Sequence, residues 1–266
     1  LDWTYRFDDT VPEKGHFATL SGEYSFGAIC GAFVRLHHEP SVPGDLALPA
    51  QERALFIRER RSALLHLLNA LPFVVANRPT AGRTNGSKPL QMQQLARAGF
   101  EIPAWIATND PAVTRAFSET HPEGVIYKTC SGVRARVRMI DPELIRRMDS
   151  GTSPVVIQAY IHGIDVRVHT VGEQVFPTQI ESNGVDYRYQ AQESIYGETT
   201  IPQDIAALCC RVAAAEGLVV AGFDFRVTPE GSWYCLEVNP MPTFLPYEMA
   251  TRQPIGAAIL NLFATL

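Results

Sequence analysis

Two alternating runs near the C-terminal end constrain the fold of this chain more than any other stretch. In Gly222-Phe-Asp-Phe-Arg-Val and Trp233-Tyr-Cys-Leu-Glu-Val-Asn-Pro240, the residues Phe223, Phe225, Leu236 and Val238 alternate with polar positions. That is the period of a strand with one face in a core, and the turn-forming Pro229-Glu-Gly-Ser232 stands between the runs. With those four residues as the loop, Thr228 pairs with Trp233, and counting back sets Asp224 directly opposite Glu237, with Cβ atoms about 5 Å apart. Asn239 lies two residues past Glu237 on the same face, about 7 Å further along. Two carboxylates held together repel unless a cation is present. An Asp, a Glu and a carboxamide supply the hard oxygen ligands that Mg²⁺ takes while leaving positions for phosphate oxygens. The competing reading is a solvated hairpin face on which Asp224 and Glu237 pair with Arg226 and other cations.

Upstream of the hairpin, helical and extended patterns alternate. Residues 50–71 repeat Leu55, Leu64, Leu65 and Leu68 at helical spacing among many charges, and Pro72 ends the pattern. Residues 73–76 read as a short buried strand, and the breaker-rich residues 77–86 mark a boundary. Ser87 is placed to cap a helix with Pro89 in its first turn and Gly99 just past its end, and another helix begins at Asp110-Pro111. Residues 125–128, 155–161 and 166–171 read as strands. Gly172-Glu173 suits a two-residue hairpin turn with φ > 0 at its first position. Residues 202–217 and 254–266 read as helices. Hairpins dominate the second half, which predicts an α+β or mixed α/β chain in several lobes, residues 1–82 preceding residues 83–266, the latter divided into 83–155 and 156–266.

Composition narrows the function classes. A net charge of −5 argues against nonspecific binding of nucleic acid, which needs a broad basic surface. No run approaches the roughly 18 apolar residues of a membrane span, and the N-terminus lacks a signal-peptide pattern, so no membrane partner and a cytoplasmic location are expected. The five cysteines form no C-x-x-C pair and read as core thiols, Cys209-Cys210 included. The histidines, His37-His38 among them, have no metal-ligand spacing and receive no role. The chain opens at Leu1 without a methionine in polar, turn-like sequence, so an upstream piece is expected to be missing.

Asp224 together with Glu237-Val-Asn239-Pro240 resembles the metal-binding signature of ATP-grasp ligases. Ser87-Lys88, Val125-Ile-Tyr-Lys128, Val156-Ile-Gln-Ala-Tyr-Ile161, Gly163-Ile-Asp-Val-Arg167 and Val171-Gly-Glu-Gln-Val175 follow in an order similar to the RimK-type branch. The order is also similar to that of the ligases that macrocyclise ribosomal peptides such as microviridins, the graspetides. The resemblance covers residues 77–266. It implies an ATP-grasp fold with the nucleotide between two sheet-containing lobes, preceded by a small α/β lobe that is incomplete if an upstream piece is missing. The cofactors implied are ATP and Mg²⁺, with Mn²⁺ as the alternative ion.

The same resemblance implies that Asp224, Glu237 and Asn239 hold the metal and that Lys88 and Lys128 reach the α- and β-phosphates. Gln158, Ala159, Tyr160 and Ile161 would form the hinge beside adenine, with Asp165 and Arg167 near the ribose and the phosphoryl-transfer centre. Arg188 would stabilise the γ-phosphate and the acyl phosphate. The bland alternatives are a solvated helix or strand end for each lysine, a core strand for the hinge, and a surface ion-pair strand for Asp165, Arg167 and Arg188. Two departures stand out: Ala159 occupies a hinge position that is commonly acidic, and residues 130–138 carry a single glycine where a glycine-rich lid is expected. Arg134, Arg136 and Arg138 alternate there and would project from one face of a strand.

The implied reaction activates a carboxylate as an acyl phosphate and joins it to an amine or hydroxyl, releasing ADP and phosphate. Its substrate would be a ribosomal peptide bearing Asp or Glu, with a precursor leader peptide as a further partner. A free amino acid or small peptide, a kinase on the same scaffold and a nucleotide-binding module without catalysis are the alternatives. The N-terminal lobe leaves a homo-oligomer open.

Overall fold

The computed structural model describes residues 3–6, 14–19, 21–35, 48–131, 137–148, 151, 153–182 and 194–264. In chain order the elements are β1 (Trp3–Arg6), β2 (His16–Thr19), β3 (Gly22–Ser25), β4 (Gly31–Phe33), α1 (Ala50–Ala70), β5 (Val74–Ala76), α2 (Lys88–Ala98), β6 (Trp105–Thr108), α3 (Pro111–Glu119), β7 (Val125–Thr129), β8 (Arg138–Met139) and α4 (Pro142–Arg147). They continue with β9 (Val155–Ala159), β10 (Ile164–Val171), β11 (Gln174–Glu181), β12 (Ile195–Glu198), α5 (Gln203–Ala215), β13 (Val220–Val227), β14 (Trp233–Asn239), α6 (Leu245–Thr251) and α7 (Ile255–Ala264). The class is mixed helix and sheet. No helix among the described residues is long and apolar enough to cross a membrane.

The chain divides into two compact units, one of Leu1–Ala81 with Ala257–Leu266 and one of Gly82–Gly256. The closing helix, grouped by sequence with residues 83–266, thus belongs mostly to the first unit. Its Phe263 ring lies against Gly31, where any Cβ would collide with it. In this unit α1 buries Leu67 and Leu68 against Phe26, Leu71, Phe73 and Val75. The Arg78 guanidinium caps the end of α1, donating to the carbonyls of Leu68, Asn69, Leu71 and Phe73 at 2.8–3.2 Å. The turn-like N-terminal stretch instead contains the antiparallel sheet β1-β2-β3. In its outer strands β1 and β3 the residues Thr4, Tyr5, Arg6, Glu23, Tyr24 and Ser25 are exposed, so burial there imposes no alternation that reveals a strand in sequence.

Among the described residues the second unit holds two sheets. β12-β11-β10-β13-β14 form a five-stranded antiparallel sheet, and β6-β9-β7-β8 a four-stranded one. One face of the larger sheet carries Val166, Val168, Phe223 and Phe225, none more than 4% exposed. α5 lies against this sheet, and Phe100, just past α2, places its ring 5.8 Å from Phe223 and 5.7 Å from Phe225. Local capping starts the helices where the sequence indicates. Ser87 accepts from the Leu90 N–H at 3.5 Å, and Asp110 Oδ1 accepts from the Ala112 N–H at 2.7 Å. Gly99 closes α2 at φ 107°, and Gly172 turns the β10–β11 hairpin at φ 57°.

Phe100→Ala removes a ring packed between two core phenylalanines and is expected to destabilise the second unit by about 3–5 kcal/mol. Asp110→Ala, which loses one helix cap, is expected to cost about 1 kcal/mol. Denaturant unfolding of the two variants checks the ordering.

Candidate active site

The hairpin of β13 and β14 places the acidic pair by a route different from the one counted in the sequence. Val227, not Thr228, pairs with Trp233, so the loop is one residue longer than Pro229-Glu-Gly-Ser232. It is closed by the Thr228 N–H donating to the Ser232 carbonyl at 3.0 Å. A bulge between Asp224 and Phe225 then restores the count: Phe225 faces Cys235, and Asp224 faces Glu237. The two one-residue departures cancel. Leu236, expected in the core row, is the extra residue of the bulge and is only half-buried, while Cys235 takes the core position at 1% exposure. Asn239 pairs with Gly222, and its Oδ1 accepts from the Met241 N–H at 2.8 Å, leaving that oxygen a second lone pair.

β10 pairs with β13 so that Arg167 faces Asp224 and Asp165 faces Arg226. Two ion pairs cross between the strands, with Arg167 Nη1 at 2.6 Å from Asp224 Oδ1 and Arg226 Nε at 2.9 Å from Asp165 Oδ1. All four residues are 4–7% exposed. Gly222 makes room for this arrangement, because a Cβ there would stand 2.5 Å from Arg167 Nη2 and 2.6 Å from its Cζ. The reading of Asp224 as part of a solvated hairpin face paired with Arg226 is therefore overturned: Asp224 is buried, and Arg226 belongs to Asp165. Repulsion between the two carboxylates is relieved within the chain, which supplies a cation to each. Arg167 neutralises Asp224, and Lys88 Nζ lies 3.7 Å from Glu237 Oε2.

Lys88 reaches Glu237 because α2 is strapped to β14. Gln91, one turn along the helix, donates from Nε2 to the Val238 carbonyl at 2.9 Å and accepts the Val238 N–H on Oε1 at 3.2 Å. The Lys88 N–H donates to the Cys130 carbonyl at 2.9 Å, which ties the start of α2 to the end of β7.

On the smaller sheet, Lys128 faces Val156 and Ile126 faces Gln158, so Lys128 and Gln158 share a face. Both are buried, and Gln158 Oε1 has no hydrogen-bond partner among the described residues. At the end of β9 the backbone is already engaged. The Ala159 N–H donates to Ala104 at 2.8 Å, the Tyr160 N–H donates to Gly124 at 3.0 Å, and the Ile161 carbonyl accepts from Arg226 Nη1 at 3.3 Å. On the opposite face, Tyr127, Arg138, Leu144 and Arg147 line an open cavity of about 530 Å³. Arg188, Arg134 and Arg136 lie outside the described residues; Arg138 is exposed on β8.

Sequence reasoning passed over His169, Gln91, Arg226 and Gly222 as parts of this site. His169 had a legible signal, since it follows Asp165 and Arg167 at the two-residue period of one strand face. It is fully buried, its Nε2 donates to the Thr243 carbonyl at 3.0 Å, and its ring lies 4.8 Å from that of Tyr247. Burial, and then the nearby Arg167 charge, push its pKa down to about 3. The imidazole is therefore neutral and ties the segment after Asn239 to β10. No cluster of three or more His, Cys, Asp or Glu side chains suited to a metal occurs among the described residues. The oxygen set here is two carboxylates and one carboxamide.

Residues 86–263 match the RimK-like ATP-grasp domain, and the chain belongs to that family. It is 24% identical over 217 residues to human N-acetylaspartylglutamate synthase A, a match that covers 76% of this chain and 55% of the relative. The chain thus spans about half the length of that curated relative. Among solved structures it is similar to macrocyclase MdnC of Microcystis aeruginosa bound with precursor peptide MdnA, with a TM-score of 0.85 at 19% identity over 100% of this chain and 88% of the other. It is also similar to ATP-grasp ligase PsnB complexed with a phosphomimetic variant of minimal precursor, Mg and ADP, with a TM-score of 0.72 at 25% identity over 88% and 77%.

Because the pKa of His169 falls from its ordinary 6.5 to about 3 on folding, the unfolded chain takes up the proton first as pH drops. The stability this residue contributes is complete above pH 6.5 and is lost toward pH 3, at up to about 1.4 kcal/mol per pH unit. His169→Gln is expected to flatten that part of the stability profile, measured by denaturant unfolding from pH 7 to pH 4.

Proposed function

We propose that this chain is an ATP-dependent ligase that joins a carboxylate to an amine or hydroxyl, acting on a ribosomal peptide that carries Asp or Glu. The observation that carries the reading is the charge-matched face on which buried Asp224 and half-buried Glu237 are held side by side with Arg167 and Lys88 as their cations. Membership of the RimK-like ATP-grasp family supports it, as do the precursor peptides bound in the MdnC and PsnB structures. A cytoplasmic location belongs to the proposal and is supported by five thiols that are all unpaired.

The residues present fit a magnesium nucleotide. Asp224, Glu237 and the Asn239 carbonyl oxygen would hold Mg²⁺, or Mn²⁺ in its place, since hard cations take oxygen ligands and keep positions for phosphate. Lys88 and Lys128 would meet the α- and β-phosphates. The buried, unpartnered Gln158 Oε1 can accept from an amino group of the base. With the Ala159 and Tyr160 N–H groups committed to the sheet, the hinge would present the Ala159 carbonyl and the Ile161 N–H. Asp165 would accept from ribose. Bound MgATP supplies the phosphoryl group that turns a carboxylate into an acyl phosphate, from which a nucleophile displaces phosphate. The chain's part is charge stabilisation: Arg167, and Arg188 from outside the described residues, would neutralise oxygens on which charge builds. No protein nucleophile is required.

The second reading, a ligase for a free amino acid or small peptide, is favoured by the likeness to N-acetylaspartylglutamate synthase A. Acidic precursor peptides should raise the melting temperature under the first reading. Free amino acids should support ADP release under the second.

In calorimetric titration, ADP is expected to bind in a Mg²⁺-dependent manner, and the combined Asp224→Asn and Glu237→Gln substitutions should abolish that dependence. A well-folded wild type that binds no ADP would sink the proposal. Hydroxylamine added during turnover should yield a hydroxamate; a stable phosphate ester instead would identify a kinase. Gly222→Ala, which pushes the Arg167 guanidinium out of its place, is expected to lower kcat about 10- to 100-fold with nucleotide affinity nearly unchanged.

A further inference from the structure

We infer that Arg226 is the positioning residue for the nucleoside end of the nucleotide, holding the base-reading hinge and the ribose-facing carboxylate in one fixed relation. The inference rests on the nucleotide reading above. Arg226 is 6% exposed and stands directly opposite Asp165, with Nε at 2.9 Å from Asp165 Oδ1. Its Nη1 donates toward the Ile161 carbonyl at 3.3 Å and the Tyr160 hydroxyl at 3.4 Å, and its Cζ lies 5.6 Å from the centre of the Tyr160 ring. A single planar fork therefore joins three places: β13, the carboxylate on β10, and the backbone where the chain leaves β9.

The consequence lies in which groups this fork leaves no choice. It fixes the rotamer of Asp165, and it holds the Ile161 carbonyl, whose peptide plane adjoins the one that carries the Ile161 N–H. The Tyr160 N–H bond to Gly124 already sets the Ala159 carbonyl, since the two share a peptide plane, so the Ile161 N–H is the hinge group whose direction rests on the Arg226 contact. The phosphate-facing groups are held by other contacts: Lys88 by the Gln91 strap, and Arg167 by Asp224 and Gly222. Lysine cannot replace the fork, because an ammonium is a compact point charge without the planar arrangement of donors that spans Asp165, Tyr160 and Ile161. Base and ribose selection should therefore fail together when Arg226 is changed.

The test is selectivity. Dissociation constants of the magnesium complexes of ADP, GDP and 2′,3′-dideoxyADP are measured by calorimetry for the wild type, for Arg226→Lys, and for the double variant Asp165→Asn with Arg226→Met. The double variant removes both buried charges at once, so that no unpaired carboxylate is left in the core, and thermal melting checks each fold. Both ratios, GDP to ADP and dideoxyADP to ADP, are expected to fall at least about fivefold toward unity in Arg226→Lys, and the GDP-to-ADP ratio likewise in the double variant, where the ribose acceptor itself is changed. A uniform weakening that leaves both ratios unchanged would mean that Arg226 only supports the fold, and the inference is overturned. Wild-type ratios already near unity overturn it as well, while leaving the nucleotide reading intact. Absence of ADP binding to folded wild type removes that reading and this inference together.

Discussion

Two buried ion pairs crossing between the same two strands are the constraint on which the rest of the site depends. A buried pair contributes little net stability, because desolvating both charges offsets most of their attraction, yet losing one partner alone costs about 3–5 kcal/mol. The value of such an arrangement is in what it excludes. Sliding β13 by one residue against β10 would turn Phe223 and Phe225 onto the charged face and drive Asp224 and Arg226 into the apolar layer. The crossed pairs and the phenylalanine row therefore specify the same register from opposite faces of one sheet. That register is what brings a carboxylate, a guanidinium and a second carboxylate side by side.

Everything nearby serves to keep those charges matched without filling the space beside them. Gly222 yields its side-chain volume to the Arg167 guanidinium, and the bulge at Leu236 brings Glu237 back beside Asp224 after the longer loop has shifted the count. Gln91 holds α2 against β14, so the lysine at the start of that helix reaches Glu237. On the smaller sheet, Lys128 and Gln158 are buried on a common face, and an unpartnered buried carbonyl oxygen such as Gln158 Oε1 is a costly placement in a protein without a polar ligand to meet it. Family membership, read from the pattern over residues 86–263, and the charges at the site both support the proposed nucleotide-dependent ligase.

Much of this was legible in the residues. The acidic pair came from strand period, the caps of α2 and α3 from Ser87 and Asp110, and the turn at Gly172 from the need for positive φ. A four-residue loop and a regular ladder would pair Asp224 with Glu237, and the five-residue loop gives the same pair because the bulge offsets the extra residue. Leu236 leaves the core row, which strand period does not show, since bulges carry no mark in a single sequence. The outer strands of the N-terminal sheet are hidden in sequence because their side chains are exposed, and the closing helix reads with its sequence neighbours although Phe263 lies against Gly31.

The sequence by itself determined which residues could carry the chemistry and on which face of a strand each would stand, because period and capping are local properties of the chain. Tertiary structure alone decided the partners. Asp224 goes to Arg167 and Asp165 to Arg226, Lys88 reaches Glu237 through Gln91, and His169 stays neutral against Thr243. Pairing between strands and burial of charge depend on segments far apart in the chain meeting at a set register, and local sequence does not record that distance.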